Sequence, residues 1–121
     1  MAEDYEIKRG VPRVQPFVTL CRVLDGPRQL SGYITDLSAR GAQVSVGVRP
    51  PEPGSIVVLR VRLAGRLSPT RLPSEVRWVR PQAEAGGGHC FGVAFQNLTS
   101  EEKQTLEAVL EDVRRRAAQL A

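Results

Sequence analysis

Six short runs of residues between positions 14 and 96 are rich in β-branched side chains or alternate apolar with polar residues. Turn-forming stretches such as "DGP", "PPEPG", "SPT" and "EAGGG" separate them. The runs cover residues 14–23, 29–37, 41–48, 55–63, 71–80 and 89–96. Short strands at this spacing predict an all-β barrel or sandwich and argue against a βαβ fold.

The period of the pattern changes near residue 99. Thr99 and Glu102 form a capping box, the usual start of a helix, and apolar residues then recur at helical spacing. These apolar residues are Leu106, Val109, Leu110, Val113, Ala117 and Leu120. The pattern predicts a C-terminal amphipathic helix over residues 99–121. Its apolar stripe can cover one end of the barrel or form a dimer interface, and packing on the parent domain is the simpler expectation.

The length of 121 residues fits one domain, which we divide into three parts. Residues 1–13 form a polar arm, residues 14–98 the β-barrel, and residues 99–121 the helix. Gly10 and Pro12 disfavour a helix within "KRGVPR". We therefore expect Arg9 and Arg13 to lie on an extended, flexible lead-in to the first strand.

Several classes of protein are disfavoured by composition. No apolar run approaches the roughly 20 residues of a membrane helix, and the first residues are acidic where a signal peptide is basic and then apolar. We therefore expect a cytoplasmic protein with no membrane insertion. Cys21, Cys90 and the single His89 provide neither a disulfide framework nor a metal-ligand set, so we expect no metal and two small buried cysteines.

The formal charge of +4 is unevenly distributed. Residues 99–121 carry five acidic and four basic side chains, so residues 1–98 carry a net charge of +5. Fifteen of the seventeen basic residues are arginine, whose planar fork bonds phosphate and guanine better than lysine does. This favours an anionic or nucleotide-like partner, although a solvated arginine-rich surface explains the same composition.

Sequence motifs of common enzymes are absent. The chain has no GxSxG, HExxH or P-loop motif, and His89 has no partner set for general-base chemistry. We therefore expect a protein that is not an enzyme.

Two motifs remain: "RGVPR" at residues 9–13 and "DLSARG" at residues 36–41, with 22 residues between them. RxxxR followed by DxSxxG, ahead of a run of strands and a final helix, resembles the PilZ domain family of bacterial receptors for cyclic di-GMP. The runs "EVRWVR" and "FGVAF" also stand where that family has similar strands. The resemblance covers nearly the whole chain and implies a six-stranded antiparallel β-barrel with a C-terminal helix.

The motif residues suit the chemistry of cyclic di-GMP. We expect this molecule to be the ligand, and we expect no cofactor. Arg9 and Arg13 can bond phosphate or the O6 and N7 atoms of guanine and can stack on the base. Asp36 can accept from the N1–H and exocyclic amine of guanine, and Ser38 shares its face of an extended chain. We expect Gly41 to adopt a positive φ and to give the ligand room. An ordinary turn would use the residues of the second motif for local hydrogen bonds instead.

Four further residues are candidate ligand contacts: Lys8, Arg40, Trp78 and Arg80. Trp78 is either a core or rim aromatic or, as the resemblance implies, a platform that stacks on guanine. Lys8 and Arg40 flank the motifs and can add positive charge near the phosphates. Alternatively, they are solvent-exposed cations that each contribute little interaction energy.

The leading hypothesis is a non-catalytic cyclic di-GMP receptor whose arm closes on the ligand and which signals to an effector protein. The length of the chain leaves no room for an output domain, so we expect the signal to pass to another protein or to a second copy. The resemblance implies control of motility, pili, flagella or exopolysaccharide. The alternatives are a PilZ-like interaction module without nucleotide and a small basic barrel that binds single-stranded nucleic acid. Few aromatic residues disfavour the latter. The sequence leaves two alternatives for the oligomeric state, a monomer or a homodimer. It also leaves two for the stoichiometry, one cyclic di-GMP or a stacked pair.

Overall fold

The computed structural model describes residues 19–62, 68–81 and 88–120, with side chains as far as residue 115. These residues form six strands followed by one helix. The elements are β1 (Thr19–Asp25), β2 (Arg28–Leu37), β3 (Gly41–Val46), β4 (Ile56–Val61), β5 (Thr70–Pro81), β6 (His89–Phe95) and α1 (Ser100–Leu120). The predicted runs correspond to these strands, and shifts of a few residues at their ends reflect the turns between them. The first five residues of the first predicted run, 14–18, lie outside the described residues.

All strand pairs are antiparallel, and they close into a barrel in the order β1-β2-β3-β6-β5-β4. The prediction of a six-stranded antiparallel barrel is therefore confirmed, and the sandwich is excluded. Two of the pairs, β1 with β4 and β3 with β6, join strands that are not consecutive in sequence. They lie on opposite sides of the barrel, and each carries one of the two surface grooves discussed below.

Alternate side chains of every strand fill the interior. The largest fully buried side chains include Phe91, Ile34, Leu59 and Leu72. Burying such residues stabilises the fold by about 1.5–3 kcal/mol each. Both cysteines are free and buried, as expected: Cys21 belongs to the core cluster, whereas Cys90 lies outside it.

Helix α1 begins with the predicted capping box. The backbone N–H of Thr99 donates to the Glu102 carboxylate at 2.8 Å, and the backbone N–H of Glu102 donates to the Thr99 hydroxyl at 3.1 Å. Leu106 and Val109 are then buried, and Val109 belongs to the core cluster of the barrel. The part of the apolar stripe formed by Leu106, Val109 and Val113 therefore packs on the parent domain, and helix α1 lies against β5.

Candidate functional site

The turn between β2 and β3 is held by the hydroxyl group of Ser38. This oxygen accepts the backbone N–H groups of Arg40 and Gly41, both at 3.2 Å, and donates to the carbonyl of Gly41 at 3.3 Å. The backbone N–H of Ser38 donates to the same carbonyl at 2.9 Å. The hydroxyl thus fixes the backbone of the second motif, as serine commonly does in turns.

Gly41 is needed for a close backbone approach, and our expectation of a positive φ at this position is wrong. Among the described glycines only Gly26, Gly54 and Gly88 have a positive φ. A Cβ on Gly41 would instead overlap the carbonyl oxygen of Val93 in β6. The glycine therefore lets β3 lie against β6 where their pairing begins, a steric requirement unconnected with turn geometry.

A bulge in β2 places Asp36 on the outer surface of the barrel. Ile34 is fully buried, so a regular strand would also direct Asp36 inward, two residues later. The register shifts between these two residues, so that Asp36 pairs with Gln43 and Thr35 becomes the extra residue. After the bulge it is Leu37 that packs against the core. The hydroxyl of Thr35 also donates to the Gln43 carbonyl at 3.4 Å.

A second bulge, in β5, does the same for Trp78. Val76 is buried and the register then shifts, so that Trp78 pairs with Gly92 while Val79 turns towards the core. The indole lies across Gly92, where a Cβ would overlap the ring atoms. Trp78 is half-buried and lies outside the core cluster. It is therefore a surface aromatic, and the bulge directs it outward.

The two bulges bring four residues into one row across the outer face of the sheet. Asp36 pairs with Gln43, Gln43 with Gly92, and Gly92 with Trp78, on the consecutive neighbours β2, β3, β6 and β5. A shallow groove of about 340 Å³ runs along this row. Its polar and aromatic lining consists of Asp36, Ser38, Arg40, Gln43, Arg77 and Trp78, with Gly41 and Gly92 among the small residues.

The groove combines one carboxylate with several guanidinium groups. Arg40 and Arg77 line it, and both are exposed. Arg77 also pairs with Glu75 at 3.9 Å, a contact that is weak in an exposed setting. The Arg80 guanidinium carbon lies 4.3 Å from the centre of the Trp78 ring, within cation–π range. An anionic, planar ligand with hydrogen-bond donors on one edge suits this set of groups.

Comparison with protein families identifies the fold. The sequence profile described as "PilZ domain" matches residues 7–112, most of the chain. The chain belongs to the PilZ domain family. The residues of its DxSxxG motif lie around the groove, which agrees with the receptor role of this family for cyclic di-GMP.

Solved structures with the same fold are distant in sequence. The PilZ domain with c-di-GMP of YcgR from Escherichia coli matches with a TM-score of 0.67 and 14% identity, covering 84% of this chain and 86% of that one. Apo MrkH of K. pneumonia matches with a TM-score of 0.69 and 13% identity, covering 86% of this chain and 50% of that one. The Bacillus subtilis inhibitor of motility MotI/DgrA matches with a TM-score of 0.66 and 16% identity, covering 90% of this chain and 53% of that one. This PilZ domain thus spans about half the length of the last two. No curated protein sequence matches it.

The structure brings together part of the predicted site. Asp36, Ser38, Arg40, Gly41 and Trp78 line one groove, and Arg80 stacks on Trp78 from beside it. Arg9, Arg13 and Lys8 lie outside the described residues. Sequence reasoning missed Gln43 and Arg77. The alternation of "GAQVSV" predicts the outward position of Gln43. Arg77, in contrast, reaches the groove through a bulge that the sequence pattern does not predict.

The described residues contain neither a metal-binding cluster nor a helix that could span a membrane. No group of three or more histidine, cysteine, aspartate or glutamate side chains there is arranged to hold a metal ion. Helix α1 is the one helix of that part of the chain, and it is not apolar enough to cross a membrane.

Proposed function

We propose that this PilZ domain is a non-catalytic receptor for cyclic di-GMP and binds a guanine base in the groove between β2 and β5. The observation that carries the proposal is the row Asp36–Gln43–Gly92–Trp78 across four strands. It combines an acceptor for the guanine edge with an aromatic surface for the base plane, and Gly92 leaves room for the indole to lie across β6. Membership of the family supports the choice of ligand.

Recognition of guanine follows from the chemistry of these groups. The carboxylate of Asp36 accepts from N1–H and the exocyclic amine, which adenine does not offer together. The Arg80 guanidinium lies over the Trp78 ring, so in this proposal the base stacks on the guanidinium or takes its place on the indole. Arg40 and Arg77 supply forked donors for the phosphates or for O6 and N7. Ser38 serves mainly by keeping the turn in shape, because its hydroxyl already makes three local hydrogen bonds.

The arm supplies the second half of the site in this proposal. Arg9 and Arg13 close over the bound nucleotide, neutralise its phosphates and stack on its bases. Closure changes the surface presented to an effector protein, so ligand binding is converted into a signal without chemistry. In this proposal the effector protein controls motility, pili or exopolysaccharide. The receptor is proposed to act in the cytoplasm.

Isothermal titration calorimetry with cyclic di-GMP tests the proposal. Asp36→Asn and Arg13→Gln should each weaken binding by at least about tenfold, since each removes a charge-assisted bond worth about 1.5–3 kcal/mol. Glu107→Gln and Arg114→Gln make the same changes on exposed positions of α1 and should leave the affinity unchanged.

Two results would reject the proposal in different ways. The absence of heat with the wild-type protein at high micromolar ligand would leave an interaction module that does not bind nucleotide. Tight, salt-dependent binding of an oligonucleotide that cyclic di-GMP does not displace would support the single-stranded nucleic acid alternative. Stoichiometry from the same titration distinguishes one ligand from a stacked pair.

A further inference from the structure

A row of arginines crosses the side of the barrel away from the Asp36 groove. Arg22 of β1 pairs with Arg60 of β4, and Arg60 pairs with Arg71 of β5. All three are exposed, and their sequence neighbours Cys21, Val61 and Leu72 are buried in the core. Neighbouring strands lie about 4.8 Å apart, so the three side chains start within about 10 Å of one another.

This row does not stabilise the fold. Like charges directly opposite each other on adjacent strands repel and lower the stability of a sheet. Within residues 19–62, 68–81 and 88–115, no ion pair or hydrogen bond joins Arg22, Arg60 or Arg62 to a carboxylate. Arg71 differs, because it shares a depression with Glu101 and Glu102 at the start of α1. The unbalanced charge therefore lies at the β1 and β4 end of the row.

A groove of about 350 Å³ lies at that end. It is lined by Arg22, Arg60 and Arg62 together with Leu20 and Pro69, and among the residues that the structure describes no acidic or aromatic side chain lines it. Leu20 is 62% exposed, which is a large exposure for a leucine on a strand. The groove thus combines cations with an uncovered aliphatic surface.

We infer that this groove docks an acidic segment of a partner protein that also carries an apolar side chain. Arginine forks bind carboxylates in two-point contacts, and arginine is enriched where protein interfaces are buried. Leu20 and Pro69 provide the apolar contact that complements such a segment. Sites for single-stranded nucleic acid instead combine positive charge with stacking aromatics, and none of the described residues that line this groove is aromatic.

The inference deepens the proposed function and rests on it, because it names the chemistry of the partner that receives the signal. The docking groove is formed by β1 and β4, whereas the Asp36 groove is formed around β3 and β6 on the opposite side of the barrel. Nucleotide and partner therefore do not compete for the same surface, and both can be bound at once.

Fluorescence anisotropy with three labelled probes tests the inference. The probes are a short peptide of glutamate and leucine, the same peptide with serine in place of leucine, and an oligothymidine of equal charge. The leucine peptide should bind most tightly. Arg22→Gln and Arg60→Gln should each weaken it by about tenfold, the effect of losing about 1.4 kcal/mol. Arg114→Gln on α1 removes the same charge and should leave binding unchanged.

Leu20→Ser provides an independent readout. It should lower the affinity for the leucine peptide by about fivefold and leave the affinity for the serine peptide unchanged, because only the apolar contact is removed. Tightest binding of the oligothymidine, or an equal loss in Arg114→Gln and Arg60→Gln, would overturn the inference.

Failure of this inference can be told apart from failure of the proposed function. Arg22→Gln and Arg60→Gln should keep the cyclic di-GMP affinity of the wild type, since both lie outside the Asp36 groove. A wild-type protein that binds cyclic di-GMP but shows no preference for the leucine peptide would overturn only the docking groove. Both variants should also be at least as thermostable as the wild type, because each relieves a repulsion between neighbouring arginines. Lower thermostability would overturn the argument that the row serves binding rather than folding.

Discussion

Replacement of Gly41 by alanine tests whether this motif glycine serves the fold or the ligand. In the structure the hydrogen of Gly41 faces the backbone of β6, where a Cβ would overlap the carbonyl oxygen of Val93. The same Cβ would lie 3.2 Å from the carbonyl carbon of Val93 and 3.4 Å from the Cα of Ala94. All three atoms belong to the backbone, so a rotamer change cannot relieve the overlap.

The cost of the added methyl group can be worked from these contacts. A normal non-bonded distance requires β3 and β6 to separate at this end by roughly 1 Å. Such a shift weakens the bond from the Phe95 N–H to the Arg40 carbonyl, now 2.8 Å, and the pairing of Gly41 with Ala94. Two backbone hydrogen bonds at about 1 kcal/mol each, with overpacking, give a loss of about 2–4 kcal/mol. The melting temperature should fall by about 10 °C.

Urea unfolding, followed by circular dichroism and by the fluorescence of Trp78, measures this loss. Gly47→Ala is the matched control, because no heavy atom beyond its own residue and its two chain neighbours lies within 4 Å of a Cβ there, and its φ is outside the left-handed region. That variant should stay within about 0.5 kcal/mol of the wild type. A Gly41→Ala protein as stable as Gly47→Ala but deficient in cyclic di-GMP binding would refute the reasoning, because it would assign the glycine to the ligand.

Three further predictions concern the groove, the helix and the core. Gly92→Ala should displace the Trp78 indole that lies over this position, which a red shift of the tryptophan emission would report; an unchanged spectrum would contradict the stacking. Thr99→Ala should lower the free energy of unfolding by about 1 kcal/mol through loss of the cap, whereas stability equal to the wild type in urea would contradict the capping box. Burial raises the pKa of the Cys21 thiol from 9.0 to about 11, so the unfolded chain loses this proton first and stability falls as the pH rises from 9 to 11. Urea titrations across this range should show a shallower fall for Cys21→Ala, and parallel curves would contradict the assignment.

Local patterns in the sequence predicted the secondary structure well, since they depend on neighbouring residues. Alternation predicted the six strands, and the Thr99–Glu102 capping box predicted the start of α1 within one residue of its position. The DxSxxG motif also indicated a polar turn, and its serine makes the hydrogen bonds that such a turn requires.

The groove itself was predictable only in part, because two bulges decide its composition. Simple alternation from Ile34 would bury Asp36, and alternation from Val76 would bury Trp78. Each side chain faces outward because one extra residue shifts the register. Sequence reasoning could therefore name Asp36 and Trp78 by motif and resemblance, but it could not derive that they share one face with Gln43.

By itself, the sequence determined the number of strands, the C-terminal helix, the excess of arginine and the motif that belongs to the PilZ family. Tertiary structure alone decided which side chains became neighbours. Asp36 and Trp78 lie at the two ends of one row, and Arg22 lies beside Arg60 in another, through the pairing of β3 with β6 and of β1 with β4. These strands are distant in the chain, so their register is set by the closure of the barrel around its core and not by any local pattern.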